Sequence, residues 1–478
     1  MGHAKKVVVV GAGISGLACA YRLKQLGVLP LVLEASERAG GLITTVRRNG
    51  LLFEAGPQCP RFPPPVWRLV RELNLEAQFV AGDPKAKRYI LRHGRLHLAP
   101  FSPGELLRTS LISFSSKLRI LGEVFATSHP PADEESLADF IERKFGVEVL
   151  NNLVDPIIAT VFLGDSRKMG MESAFPVLAE WERSQGSLAR GALGAWRARR
   201  SKRGNDRSAP RIGAKRGTLR VTQALPSLGS FRSGMGSLPE RLAEVLKEEI
   251  RYKAPVTSAA LLQGDDGPPE TPWQISLTNG ERIAAENLVL AVPAPVAAKL
   301  LKKSAPELAS ELHAIEYAPM YTVSLAYQRT QVANTLDGFG FMVPRREGLA
   351  TVCTFWNSSL FKERAPEGEV LITSFAGREI NTAPGRMLGE ECAPAVEAEN
   401  ARILGITGTP VDRMVWTVPQ ALPQYNVGHS KRVREIDRML RTLPKIYVAG
   451  NFLKGRSLGD CVETATRVAE DLHSRSAG

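Results

Sequence analysis

Four β-branched residues, Val7-Val8-Val9-Val10, stand unbroken between a lysine pair and a run of glycines. A strand with one wet face would alternate apolar with polar positions, so this run predicts a short strand buried on both faces. The period then changes, and residues 17–23 read as a helix. A second apolar run, Leu31-Val32-Leu33, predicts a second strand. Strand, tight turn, helix and strand form the βαβ unit of a parallel sheet. The same buried-strand pattern returns at Leu288-Val289-Leu290-Ala291-Val292 and at Ile446-Tyr447-Val448. Asn49-Gly50 and Asn279-Gly280 each lie between strand patterns and predict hairpins.

Helical signals are weaker in local detail. Ser237-Leu238-Pro239-Glu240 reads as a capping box with Pro in the first turn, ahead of an apolar face of Leu238, Leu242, Val245, Leu246 and Ile250. Asp460 with Glu463 reads as another, opening a helix whose stripe is Val462, Ala465, Ala469 and Leu472. Residues 106–125 and 137–149 carry helical periodicity, and residues 321–327 and 370–376 carry strand patterns. The expected class is α/β with α+β additions. A discontinuous Rossmann-type domain would comprise residues 1–86, 222–295 and 415–478. A helical domain would span 87–221 and a mixed α/β substrate domain 296–414. No internal repeat is visible.

The turn between the first strand and helix is Gly11-Ala12-Gly13-Ile14-Ser15-Gly16. Gly11 would make the tight turn, Gly13 would let a diphosphate approach the backbone, and Gly16 would let helix pack on strand. Free N–H groups at the helix start then favour the anion. Glu34, followed by Ala35, ends the second strand about 20 residues on, where an acid suits a ribose hydroxyl pair. The expected cofactor is a dinucleotide.

Charge changes the picture in one place. Of 478 residues, 62 are Lys or Arg and 49 Asp or Glu. Residues 197–220 hold ten Lys or Arg against the single acid Asp206, so most of the net +13 sits there. This basic loop makes an anionic membrane surface an expected partner. Nucleic acid is not expected, because the basic residues lack interleaved aromatics. Five scattered cysteines show no metal or disulfide spacing, and no run reaches the ~20 apolar residues of a membrane span. The expected location is cytoplasmic, peripheral on the membrane if the basic loop docks there, with a homodimer one open oligomeric state.

Glu34, Glu37-Arg38-Ala39-Gly40-Gly41 and Phe53-Glu54-Ala55-Gly56-Pro57 together resemble the signature of the amine-oxidase-like flavoproteins, which implies FAD. The Arg38, Gly40 and Gly41 segment would lie against the diphosphate. Pro423-Gln424-Tyr425-Asn426-Val427-Gly428-His429 is the most specific further motif. With Val161-Phe162-Leu163-Gly164-Asp165, Ala174-Phe175-Pro176, Gly234-Met235-Gly236 and Gly338-Phe339-Gly340-Phe341-Met342-Val343-Pro344, it resembles the FAD-containing protoporphyrinogen oxidases. That resemblance spans residues 7–472.

It implies six-electron oxidation of protoporphyrinogen IX to protoporphyrin IX, with O2 as acceptor, in haem biosynthesis. No catalytic side-chain constellation is expected, since hydride transfer to flavin N5 is the cofactor's chemistry. Carried over by residue, the cofactor contacts are Gly11 to Gly16, Glu34, Ala35, Gly56, Pro57, Gln58, Cys59, Val256, Trp416, Gly450, Asn451, Arg456, Ser457 and Leu458. Arg88 would pair with a substrate propionate, and Thr160, Phe339 and Met342 would line the substrate pocket. The chain departs from the family pattern at Thr160 and Ser233 (usually Gly), at Arg456 (usually Val) and at Gly459 (usually Asn). Coproporphyrinogen III oxidation, or flavin binding without turnover, are the alternatives.

Overall fold

The structure, a computed structural model, describes residues 5–127, 131, 133–205, 228–262, 271–376, 389–453 and 455–476. Parallel pairing accounts for the valine run. Strand Lys5–Val10 lies inside a seven-stranded sheet, flanked in parallel by Arg282–Leu290 and Leu31–Leu33. Val7 and Val9 face helices Ile14–Gln25 and Leu458–Ser476, while Val8 and Val10 face Ala294–Leu301 and Pro306–His313. A strand covered on both sides has no place for a polar residue.

The sheet runs in the order Val256–Leu261, Trp273–Leu277, Arg282–Leu290, Lys5–Val10, Leu31–Leu33, Ile250–Arg251, and Ile446–Val448 also pairs with Arg282–Leu290. Three separate stretches of chain therefore build it. Both Asn-Gly hairpins form. Asn49 and Gly50 adopt φ of 53° and 75° between Thr45–Arg48 and Leu51–Glu54, the left-handed pair that a tight hairpin needs.

A second seven-stranded sheet is ordered Asp412–Pro423, Tyr317–Gln328, Glu369–Ala376, Thr351–Phe355, Gly340–Met342, Arg88–Arg92, Arg95–Leu98. It is antiparallel except where Gly340–Met342 runs with Arg88–Arg92. Its strands cross the expected limits at residues 87 and 415, because the expected helical piece supplies two of them and Asp412–Pro423 reaches past 414.

Several helical expectations need correction. The 106–125 pattern is broken into Pro103–Arg108, Phe114–Gly122 and the 3-10 turn Glu123–Phe125, because Ser113 caps a fresh start. The 137–149 pattern breaks at Gly146 (φ 91°). Ser237–Val245 begins on Gly236 with no side-chain cap. Glu240 turns instead to Arg47, so the expected box does not form. The start of the expected basic loop is the end of helix Leu188–Asn205, and residues 206–220 lie outside the described residues. Among the described residues no helix is long and apolar enough to cross a membrane.

Candidate active site

Each glycine of the turn after Val10 meets a different neighbour. A Cβ on Gly11 (φ +101°) would sit 2.6 Å from the Ala291 oxygen, and one on Gly16 would sit 1.9 Å from the Gly11 oxygen. Those two positions are closed by the protein itself. Around a Cβ on Gly13 nothing lies within 4 Å. Gly13 is also the N-cap of Ile14–Gln25 and offers no side-chain cap, so the helix presents unpaired N–H groups to open space. A diphosphate fits there.

The second glycine pair closes over the first. Gly40 bridges Gly13 and donates to the Ala12 oxygen at 2.8 Å, and a Cβ on Gly41 would come within 3.3 Å of Gly13 Cα. Arg38 is exposed, donates to the Gly41 oxygen at 3.2 Å and lies 5.7 Å from the Trp416 ring centre. Its cation and the bare helix end thus flank one space.

Glu34 is fixed by its surroundings. One carboxylate oxygen accepts the Ala12 N–H at 2.7 Å, and the other accepts the Ser36 N–H and hydroxyl at 2.9 and 2.8 Å. The Ala254 and Lys253 amides bond the main-chain oxygens of Glu34 and Ser36, which ties the segment just before strand Val256–Leu261 to the acid's loop. Ala35 is exposed on the same rim.

Helix Leu458–Ser476 meets the cradle from the other end of the chain. Ser15 hydrogen-bonds Cys461, and Arg22 pairs with Glu470 at 2.7 Å, so this helix and Ile14–Gln25 run the same way and present adjacent N-termini. Two positive dipole ends are thereby aimed at one region. The expected capping box shifts by one turn. Ser457 is the cap: Asp460 N–H bonds its hydroxyl at 3.2 Å, and the Asp460 carboxylate accepts from Ser457 N–H and hydroxyl at 2.9 and 2.6 Å. The departure at Gly459 has a steric reason, since a Cβ there would lie 2.3 Å from Pro63 Cγ. Gly450 and Asn451 follow strand Ile446–Val448 and lead into this helix.

Gly56, Pro57, Gln58 and Cys59 form the floor. A Cβ on Gly56 would overlap the Leu42 oxygen at 2.1 Å. Gln58 is buried, donates to the Glu54 and Gly56 oxygens, and accepts from Asn357 Nδ2 at 2.6 Å. Burial pushes the Cys59 thiol up to about 12, so it stays protonated. Below lies the buried pair Glu54 and Arg364, 3.4 Å apart, with the carboxylate also accepting the Met235 N–H at 2.7 Å. Burial raises the Glu54 pKa, and the Arg364 cation opposes that rise. Asn357 and Arg364 escaped sequence reasoning, because an Asn before Ser-Ser and an Arg in Lys362-Glu363-Arg364 look like surface residues.

Beside the cradle the second sheet raises a wall. Arg88 stacks on Phe339 at 4.6 Å and lies 5.2 Å from Phe101. Its polar partners among the described residues are only the oxygens of Pro84 and Ala86, at 3.4 and 3.2 Å. Phe339 continues an edge-on series through Phe355 to Phe375. Met342 is buried in the core beneath with Ile158 and Phe162, so its contact there is with the wall's own packing. Thr160 stands on helix Asp155–Phe162, its hydroxyl buried without a hydrogen-bond partner among the described residues. Arg456 reaches to this helix too, donating to the Val161 oxygen at 2.5 Å.

Residues 14–473 match the family described as flavin-containing amine oxidoreductases. The chain is 32% identical to a chloroplastic protoporphyrinogen oxidase of Oryza sativa subsp. japonica, over 97% of this chain and 87% of the relative. It is 26% identical to a coproporphyrinogen III oxidase of Bacillus subtilis (strain 168), over 98% and 97%. A crystal structure from Exiguobacterium sp. 255-15 superposes with TM-score 0.78 at 24% identity, covering 99% of both chains. The match supplies a flavin, and a cradle for a diphosphate with an acid for a ribose makes that flavin a dinucleotide, FAD. The chain is an oxidoreductase and belongs to the flavin-containing amine oxidoreductase family.

Proposed function

We propose that this chain oxidises protoporphyrinogen IX to protoporphyrin IX with O2 as the electron acceptor. The observation that carries the reading is Arg88: a half-buried guanidinium held between two aromatic rings at the edge of an aromatic wall, attracted by Asp83 but with no carboxylate bonded to it among the described residues. An apolar macrocycle with a carboxylate at its rim matches that surface, because a planar guanidinium takes a carboxylate in two parallel bonds. The chemistry supplied by bound FAD is acceptance of hydride and its return to O2.

The chain's own residues bind and orient. Gly13, Gly40, Gly41 and Arg38 would hold the diphosphate and Glu34 the ribose, with the N-terminus of helix Leu458–Ser476 adding a second positive dipole end to the same site. Phe339 and Thr160 line the substrate space while Arg88 holds the propionate; the pocket excludes water from the reacting carbon. The test is anaerobic mixing of the FAD-loaded protein with protoporphyrinogen, following bleaching of the flavin band. A yellow, folded protein that no porphyrinogen bleaches would end the reading.

A peripheral membrane position is part of this proposal. Phe101, Phe114 (73% exposed) and Phe125 (84%), with Leu107, Leu118 and Leu121, are all exposed apolar side chains in the segment that follows strand Arg95–Leu98. Arg108 and Lys117 belong to the helices of that segment, and the basic stretch follows in sequence. Aromatic side chains for the interface and cations for anionic headgroups support docking on a lipid surface. Flotation with anionic vesicles at low and high salt tests it; failure to float at low salt would remove the membrane from the account.

A further inference from the structure

Arg456 is a second cation with no carboxylate within hydrogen-bonding reach among the described residues. Its guanidinium lies 3.3 Å over the centre of the Phe162 ring, and its one hydrogen bond among the described residues goes to the Val161 oxygen. The nearest acid in sequence, Asp460, accepts from Ser457 and attracts Arg456 through space without bonding it. A guanidinium has five N–H donors in a planar fork, so most of its donors remain free. Burial lowers its pKa to about 10, still well above neutrality, so it stays charged and incompletely solvated.

One residue before the Arg456 contact stands Thr160, whose buried hydroxyl has no hydrogen-bond partner among the described residues. A cation short of acceptors, bonded at Val161, and a hydroxyl short of a partner, on Thr160, thus belong to consecutive residues near the end of helix Asp155–Phe162. That helix packs on strands Gly340–Met342 and Thr351–Phe355. The first of these begins beside Arg88, in the pair Gly340 with Arg88. One continuous wall therefore carries Arg88 at one end and Arg456 at the other, and among the described residues the two guanidinia share no hydrogen-bond or ring partner.

We propose that Arg456 with Thr160 is a second carboxylate subsite of the substrate pocket, separate from Arg88, serving a porphyrinogen with carboxylates on opposite sides of the macrocycle. It rests on the porphyrinogen reading above and deepens it. A dicarboxylate with both propionates on one edge engages one subsite at a time. A tetracarboxylate such as coproporphyrinogen III engages both, and the subsite widens the substrate range to that class.

The test uses FAD-loaded full chain and a readout independent of turnover. Wild type, Arg456→Gln and Thr160→Val are titrated with coproporphyrin III and with protoporphyrin IX, following quenching of porphyrin fluorescence. The ratio of the two affinities should shift against the tetracarboxylate by about tenfold or more in Arg456→Gln, as for one lost charged hydrogen-bonding partner. Thr160→Val should move it in the same direction by less. Equal weakening of both porphyrins, or of neither, overturns the subsite. Loss of flavin from Arg456→Gln, read by absorbance per chain, would assign the guanidinium to the cofactor and overturns it too. If wild type binds both porphyrins but no porphyrinogen bleaches it, the oxidase reading fails, and the affinity ratio still judges the subsite.

Discussion

Tyr425 donates its hydroxyl to the main-chain oxygen of Asn451 at 2.6 Å. The same hydroxyl accepts the Gly455 N–H at 3.1 Å, and the ring stacks on His429 with centres 4.3 Å apart. One side chain thus ties both ends of the turn that leads into helix Leu458–Ser476. Tyr425→Phe keeps the stack and strands two main-chain groups, at a cost of about 1–3 kcal/mol. The expected result is a lower apparent melting temperature together with weaker FAD retention on dilution. Unchanged flavin release would show that the turn holds without the hydroxyl.

Two glycines in one turn should fail differently. Gly13→Ala puts its methyl into open space, so the FAD-free protein should melt as wild type does while FAD affinity falls by at least about tenfold, 1.4 kcal/mol. Gly16→Ala drives a methyl to 1.9 Å from the Gly11 oxygen, and overlap with backbone has no cheap relief. It should lower the stability of the FAD-free protein itself. Matched melting curves and flavin titrations separate the two outcomes.

Gly459→Asn restores the family's usual residue and should nevertheless destabilise, because Pro63 fills that space. Pro63→Ala in the same chain should recover part of the loss. A coupling energy near zero in that double-mutant cycle would show that Pro63 is not the obstacle.

His429 is buried, and burial pushes its pKa down to about 4 from the usual 6.5. Arg432 deepens that shift, while Glu134 and the Phe452 main chain oppose it. The folded state therefore holds fewer protons than the unfolded chain between pH 4 and 6.5, and stability falls as the pH drops through that window. The loss is about 3 kcal/mol at most. His429→Gln, compared with wild type in urea melts at pH 7 and pH 4.5, should flatten the dependence; an identical slope would place the acid sensitivity elsewhere.

What the chain betrays of its fold depends on how local the cause is. Val7 to Val10, the two Asn-Gly turns and Gly11, Gly13 and Gly16 obey rules that act within a few residues, so they were readable directly. The helix starts were not. Ser457 outcompeted Asp460 as cap because Asp460 could reach back to it, and Glu240 left Ser237 for Arg47, a partner 193 residues away. Arg88–Arg92 is a strand because Gly340–Met342 lies beside it, a pairing with no local signature. Asn357 and Arg364 became part of the floor through contacts with Gln58 and Glu54 some 300 residues upstream.

The first sheet has an implication for synthesis of the protein. Its strands come from residues near 5–33, 250–290 and 446–448, and the second dipole end from helix Leu458–Ser476. Until the ribosome has released those late residues, the nascent chain has an unpaired stretch of Arg282–Leu290 and only part of a nucleotide cleft. Capture of the flavin is thereby deferred until helix Leu458–Ser476 has been made, and the earlier part of the chain must be shielded until then, by chaperones or by its own partial collapse.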